Sequence, residues 1–186
     1  MILPWRKVHP PACKHPLPQI LSSLTHTEAA VLAGLAAGKI VLEIGAAFGF
    51  STITMAKTAD YLVSVDFHEH MPSLADMLAN LLEYGVADRV RVLVDDSRIA
   101  LPKLLSDGDR FDLVFIDGDH SESGVRYDAE LGCAILRPGG LLAFHDYGEH
   151  QCPNVKPTVD SMFKCPTAVY DTLFIVRPDD EIKWQV

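Results

Sequence analysis

An apolar run, Leu113 to Ile116, breaks off into Asp117, Gly118, Asp119 and His120. A second, Leu141 to Phe144, breaks off into His145 and Asp146. Carboxylates beside imidazoles at such ends can do two kinds of chemistry. They can take a proton from an acceptor, or they can hold a divalent cation. A third stretch of this kind lies upstream, VLEIGAAFGFS from Val41 to Ser51. Gly45 and Gly49 bracket a turn there, and glycine lets backbone approach a ligand without interference from a Cβ. Asp66 ends the next apolar run, 21 residues after Gly45. A carboxylate at that interval can accept hydrogen bonds from both hydroxyls of a ribose.

These residues need a frame that brings them together. Thr25 and Glu28 fit a capping box at the start of a helix that Gly38 ends. Short apolar strands over 39–44, 61–65, 90–94, 111–116 and 141–144 then alternate with helices over 50–59, 71–84, 98–105 and 122–136. That alternation predicts a parallel sheet covered on both faces. A short helix is predicted from Pro157. Strands over 167–170 and 173–176 are separated only by Asp171 and Thr172, so this last pair must be antiparallel. The predicted fold class is α/β, a Rossmann-like, doubly wound seven-stranded sheet, mostly parallel with an antiparallel C-terminal hairpin. In such a sheet the glycine turn and the acidic strand ends share one rim, where ligands bind at the reversal of strand order.

A dinucleotide fingerprint would need glycine at positions 45, 47 and 50, but Ala47 and Phe50 stand at the latter two. No GK[ST] follows, so the turn is not a phosphate-binding P-loop. With Glu43, Gly45 and Gly49 it reads ExGxxxG. The chain from 39 to about 177 resembles class I S-adenosylmethionine-dependent methyltransferases on this motif, on Asp66 and on the closing hairpin. The resemblance implies that the turn, from Glu43 through Gly45, Ala46 and Gly49 to Ser51, cradles the methionine part of the cofactor. It implies that Asp66 holds the ribose and that Asp96 and Ser97 lie beside the adenine. Asp96 is also a natural helix N-cap, and both roles are compatible.

The stretches FIDGDHS and LRPGGLLAFHDY narrow the resemblance to small O-methyltransferases, several of which need a divalent cation. It implies that Asp117, which also reaches the cofactor crevice, and Asp146 bind a cation such as magnesium or manganese jointly. Catechol-type relatives carry Asn after the second acid, where Tyr147 stands here. Others carry an acid before it, where His145 stands, so the resemblance assigns no third ligand. His68, His70, His120, His145 and His150 all follow predicted strand ends, while the opposite loops, 85–89 and 106–110, contain no histidine. That clustering points either to a general base or to a cation site softer than magnesium prefers. The expected catalytic residues are Asp117, His120 and His145. The implied reaction is methyl transfer to a small-molecule hydroxyl, with a non-catalytic nucleoside-binding module or an NAD-dependent oxidoreductase as alternatives.

The rest of the sequence bounds these readings. A chain of 186 residues, 48% hydrophobic, suits a single domain over 25–186. A net charge of -9, with no basic cluster longer than Arg6-Lys7, disfavours nucleic acid. No run is long enough for a membrane span, and no secretory apolar segment follows Met1. Cys13, Cys133, Cys152 and Cys165 form no CxxC pair, which suggests reduced thiols in a cytoplasm. His150, Cys152 and Cys165 match no common zinc spacing. Residues 1–24 hold five prolines and read as an arm lying on the domain, which could cross to a neighbour in a homodimer.

Overall fold

The structure is a computed structural model that describes residues 16–69 and 73–178. The first part of the proline-rich arm, His70 and residues 179–186 lie outside them. So do Arg6-Lys7 and Cys13.

Thr25 caps α1, His26–Ala36, by accepting from the Glu28 N–H, while the Glu28 carboxylate accepts from the Thr25 N–H. This is the reciprocal box that the sequence predicts. There follow β1 (Ile40–Ile44), α2 (Phe50–Ala56), β2 (Tyr61–Asp66), α3 (Leu74–Glu83), β3 (Val90–Val94), α4 (Ser97–Ser106) and β4 (Phe111–Ile116). The chain continues through α5 (Glu122–Ile135), β5 (Leu136–Phe144), α6 (Val155–Met162), β6 (Ala168–Tyr170) and β7 (Leu173–Val176). The seven strands form one sheet in the order β3-β2-β1-β4-β5-β7-β6. Strands β1 to β5 pair in parallel, and β7 is antiparallel to both β5 and β6. Strand order reverses between β1 and β4, so a crevice opens at their C-terminal ends.

Each face of the sheet buries its own core. Leu42, Ile44, Val114 and Ile116 pack under α4, α5 and α6, while Val41, Leu113 and Phe115 pack under α1, α2 and α3. Period-two alternation along a strand produces this division. Ile20 and Leu24 of the arm pack against the second core, and Lys57 holds the Pro16 carbonyl at 2.8 Å. Among the described residues, no helix is long and apolar enough to cross a membrane.

Several boundaries differ from the sequence expectation, among them α2, which ends at Ala56 and not at 59. Helix α6 begins at Val155, not Pro157, which leaves the proline in the first turn where backbone N–H groups lack helical partners anyway. Strand β5 begins at Leu136, inside the predicted helix. Pro138, Gly139 and Gly140 therefore lie within the strand, and the β4–β5 register slips between Phe111 and Leu113. A Cβ at Gly140 would meet the Leu136 side chain at 2.8 Å and the Arg137 carbonyl at 3.0 Å, so only glycine suits that irregularity.

Candidate active site

The glycine turn between β1 and α2 is shaped by contact with β4. Gly45 has φ +89, and a Cβ there would lie 2.0 Å from the Asp117 carbonyl oxygen. Gly49 has φ +87 and stands at the N-cap of α2. Ala47, between them, also has positive φ, at 45°. The Asp66 carboxylate pins this conformation: Oδ2 accepts from the Ala46 and Ala47 N–H groups, each at 2.8 Å, and Oδ1 accepts from the His68 N–H at 2.7 Å. Beneath the turn, Glu43 is fully buried and accepts from the Ser51, Thr52 and Ser64 hydroxyls. Burial pushes its carboxyl up to about 7 despite those three donors. Glu43, expected among the cofactor contacts, lies below the crevice and lines neither part of it. Ser51 is 5% exposed and spends its hydroxyl on Glu43, so the pair braces the turn from below.

The crevice has two connected parts. One, of about 520 Å³, is lined by Gly45, Asp66, His68, Asp96, Ser97 and Asp117, among others. Asp96 caps α4 by accepting from the Arg98 N–H at 2.8 Å, so the N-cap reading of that residue is realised. Asp128 on α5 also lines this part and is 1% exposed, and neither of its oxygens completes a hydrogen bond. Burial raises it to about 6, although Ser97 and Arg98 work the other way. The second part, of about 430 Å³, runs over Gly45, Phe48, Phe50 and Ser51 to Leu21–Leu24 of the arm. From sequence, Asp128 reads as decoration of its helix, which its burial corrects, and the Leu21–Leu24 segment is not singled out. No motif marks an isolated aspartate in mid-helix or an apolar residue in a proline-rich arm.

The rim of β4 and β5 carries the rest. Ile116 pairs with Phe144, and the His145 N–H donates to the Ile116 carbonyl at 3.0 Å. Asp117 and His145 therefore leave the sheet side by side, and a positive φ of 57° at Asp146 turns its side chain back toward them. His145 is 2% exposed. Its Nδ1 lies 3.2 Å from Asp117 Oδ1 and 3.3 Å from Asp146 Oδ1, and its Nε2 lies 3.5 Å from Glu28 Oε2. Burial opposes charge on this ring, but three carboxylates outweigh it and push the imidazole up to about 12. Burial likewise opposes ionisation of Glu28, yet the His145 ring 3.5 Å away and hydrogen bonds from Thr25 and Thr172 bring it down to about 2. The three carboxylates favour the protonated ring, and this weighs against the general-base role expected of His145.

His120 is more open, with a 37% exposed side chain. Its Nε2 lies 3.1 Å from Asp146 Oδ2 and 3.4 Å from Asp117 Oδ1, and its Nδ1 lies 3.2 Å from Cys152 Sγ. Asp117 raises its affinity for a proton, and burial lowers it. Burial and the neighbouring Asp146 push the Cys152 thiol up to about 11, which rules out a ready thiolate nucleophile. Of the other rim histidines, His68 is nearly buried and bonds Ser73 Oγ at 2.8 Å, and His150 is exposed. Cys165 is exposed as well, and among the described residues it joins His150 and Cys152 in no ligand cluster.

The donor set at the rim fits a divalent cation. Asp117, His145 and Asp146 each offer an atom within 4.8 Å of the others. A ligating histidine commonly donates its second ring N–H to a carboxylate, and Glu28 stands at that position. Proton and cation compete for His145 Nδ1, because a ligating nitrogen must give up its proton.

This architecture has relatives. The model of a family described as "Methyltransferase domain" matches residues 42–147. The catechol O-methyltransferase of Mycobacterium tuberculosis is 41% identical over 128 residues, which cover 62% of this chain and 57% of that protein. The chain thus spans little more than half the length of this curated relative. The cofactor-bound structure of Rv0187 from MTB superposes with a TM-score of 0.67 at 30% identity, over 81% of this chain and 72% of that one. An O-methyltransferase from Bacillus cereus, in complex with SAH, reaches a TM-score of 0.71 over 86% of this chain and 82% of its own, and at 20% identity it speaks for the fold alone. Turn, crevice and family match agree, and the chain belongs to the methyltransferase domain family.

Proposed function

We propose that this protein transfers a methyl group from S-adenosylmethionine to a hydroxyl oxygen of a small molecule. The observation that carries the reading is the convergence of Asp117, His120 and Asp146 at the mouth of a crevice floored by the glycine turn. The cofactor supplies an electrophilic methyl on a sulfonium sulfur. The chain's own residues do the rest. The Gly45–Gly49 turn and Asp66 hold the methionine and ribose parts, and Asp96 and Ser97 flank the base. His120 takes the acceptor's proton as the oxygen forms its bond to carbon and the carbon–sulfur bond breaks. Asp117 and Asp146 orient the ring and stabilise its positive charge once it holds that proton. Positioning matters most in such an in-line displacement, because a rigid rim aligns the oxygen, carbon and sulfur before reaction.

Asp117, His145 and Asp146 would hold a divalent cation at this rim, and such an ion lowers the pKa of a bound hydroxyl. Catechol O-methyltransferase relatives support a diphenol-like acceptor, which would enter past Leu21–Leu24. The test is direct. Purified protein is mixed with methyl-labelled S-adenosylmethionine and a panel of phenols, catechol among them, with and without magnesium. Label in an ether-linked methyl group is the expected result. Binding of S-adenosylhomocysteine by calorimetry, with no label transferred to any hydroxyl, would leave a nucleoside-binding module instead.

A further inference from the structure

Asp146 presents its two oxygens to different rings. Oδ1 faces His145 Nδ1 at 3.3 Å, and Oδ2 faces His120 Nε2 at 3.1 Å. The His145 side is the oxygen-rich set described above. The His120 side differs in chemistry, because Cys152 closes it, with Sγ 3.2 Å from His120 Nδ1. His120, Asp146 and Cys152 each offer a donor atom within 4.8 Å of the others. Three separate segments supply them: the loop after β4, the end of β5 and the loop before α6.

We infer that His120, Asp146 and Cys152 form a second cation site, selective for zinc-class ions over magnesium, whose filling withdraws His120 from proton transfer. Sulfur, nitrogen and one carboxylate oxygen are the mixture that zinc accepts, whereas magnesium demands oxygen on nearly every side. Tetrahedral bonds of about 2.3 Å to sulfur and about 2.0 Å to nitrogen or oxygen place donors roughly 3.3–3.5 Å apart, which small side-chain shifts can reach from donor atoms that lie within 4.8 Å of one another. Three protein donors leave a fourth position, which water can take, or Asp117, whose Oδ1 is 3.4 Å from His120 Nε2. Access is open, since Cys152 is a free, half-buried thiol and the His120 side chain is 37% exposed. On binding, the thiol releases its proton to solvent and the sulfur bonds the cation. A lone pair of the His120 ring is then committed to the metal and cannot accept an acceptor's proton.

The site itself is independent of the methyl-transfer reading, and only its inhibitory consequence rests on that reading. The experiment uses the full chain, stripped of metal by chelation. Titration with cobalt(II) is expected to produce a thiolate-to-metal charge-transfer band in the near ultraviolet, together with the strong visible bands of a four-coordinate ion. Cys152→Ser should lose the ultraviolet band while keeping the wild-type circular dichroism. Absence of the band in the wild type, or its persistence in Cys152→Ser, overturns the site. Carbethoxylation by diethyl pyrocarbonate, mapped to His120 by mass spectrometry, reports the second half. One equivalent of zinc should slow it severalfold in the wild type but not in Cys152→Ser, and magnesium should have no effect on either. Equal reaction of His120 with and without zinc overturns the withdrawal of the base, and equal protection by magnesium overturns the selectivity. A protein that shows the band and the protection but transfers no methyl group to any acceptor would refute the functional reading and leave the site standing.

Discussion

Glu43 lies under the glycine turn with no path to solvent, and its carboxyl titrates near neutrality as a consequence. Its folded-state pKa is raised from 4.5 to about 7, so the unfolded chain gives up this proton first as pH rises. Stability from this group therefore falls between about pH 4.5 and pH 7 and is level beyond. Glu43→Gln removes the titration. Thermal melts should show the variant gaining on the wild type by on the order of 2–3 kcal/mol between pH 5 and pH 8, at 1.36 kcal/mol per unit. A constant difference across that range would mean the buried carboxyl is ionised throughout. Asp66 is a different case, because its oxygens already accept from three backbone N–H groups. Asp66→Ala should weaken S-adenosylhomocysteine binding by about 1–3 kcal/mol, through lost ribose bonds and a loosened turn together. Gly45→Val should be worse, since its side chain would run into the Asp117 carbonyl, 2.0 Å from where its Cβ must sit. Calorimetry on the three proteins ranks them, and an Asp66→Ala variant that binds like the wild type would dissociate the turn from the cofactor.

At the scale of elements, α1 does more than cover the sheet. Glu28 closes the capping box, accepts from the Thr172 N–H and hydroxyl, each at 2.7 Å, and faces His145 Nε2. One buried carboxylate thereby joins the first helix, the tip of the β6–β7 hairpin and the rim of β4 and β5. Glu28→Ala would leave a buried imidazolium short of a partner, at a cost of about 3–5 kcal/mol near pH 7. The Glu28 pKa is depressed to about 2, so its contribution is present above about 4.5 and is lost as pH falls toward 2. Urea melts of the variant and the wild type should therefore converge at low pH, and a gap that stays constant would place the effect in packing alone. Sequence patterns expose one half of this arrangement. The Thr25–Glu28 spacing, the strand periodicities, the hairpin and the acids at strand ends are all local, and each appears near where the pattern predicts it, although β5 starts earlier, at Leu136. The hydrogen bond from the Thr172 N–H to the Glu28 carboxylate spans 144 residues, and no local rule reaches that far. Cys152 opposite His120 and Asp128 beneath the crevice are hidden for the same reason. Pro102 inside α4 shows the opposite limit: it removes a helical N–H, and the Tyr127 hydroxyl of α5 supplies the Arg98 carbonyl with a donor at 3.3 Å. The helix is legible from sequence, but the device that makes its proline tolerable is not.

The whole molecule carries a net charge of -9, and its crevice concentrates that sign. Asp66, Asp95, Asp96, Asp117, Asp119 and Asp128 line the larger part, against a single arginine, Arg98. Arg98 is itself engaged, with Asp119 at 3.3 Å and Asp96 at 3.6 Å. A concave wall of carboxylates over a low-dielectric sheet focuses a negative potential at its mouth. The two forms of the cofactor differ by one charge. S-adenosylmethionine carries a sulfonium and is a net cation, whereas the demethylated product is neutral overall. The field therefore favours the methyl donor on entry and gives the product no such hold on leaving. Salt should expose the difference, because the Debye length shortens from about 30 Å at 0.01 M to about 3 Å at 1 M. Calorimetric titrations across that range are expected to show donor affinity falling while product affinity stays nearly level. If the ratio of the two affinities does not move with salt, the carboxylates act only through their contacts, and the charge of the molecule has no part in choosing between donor and product.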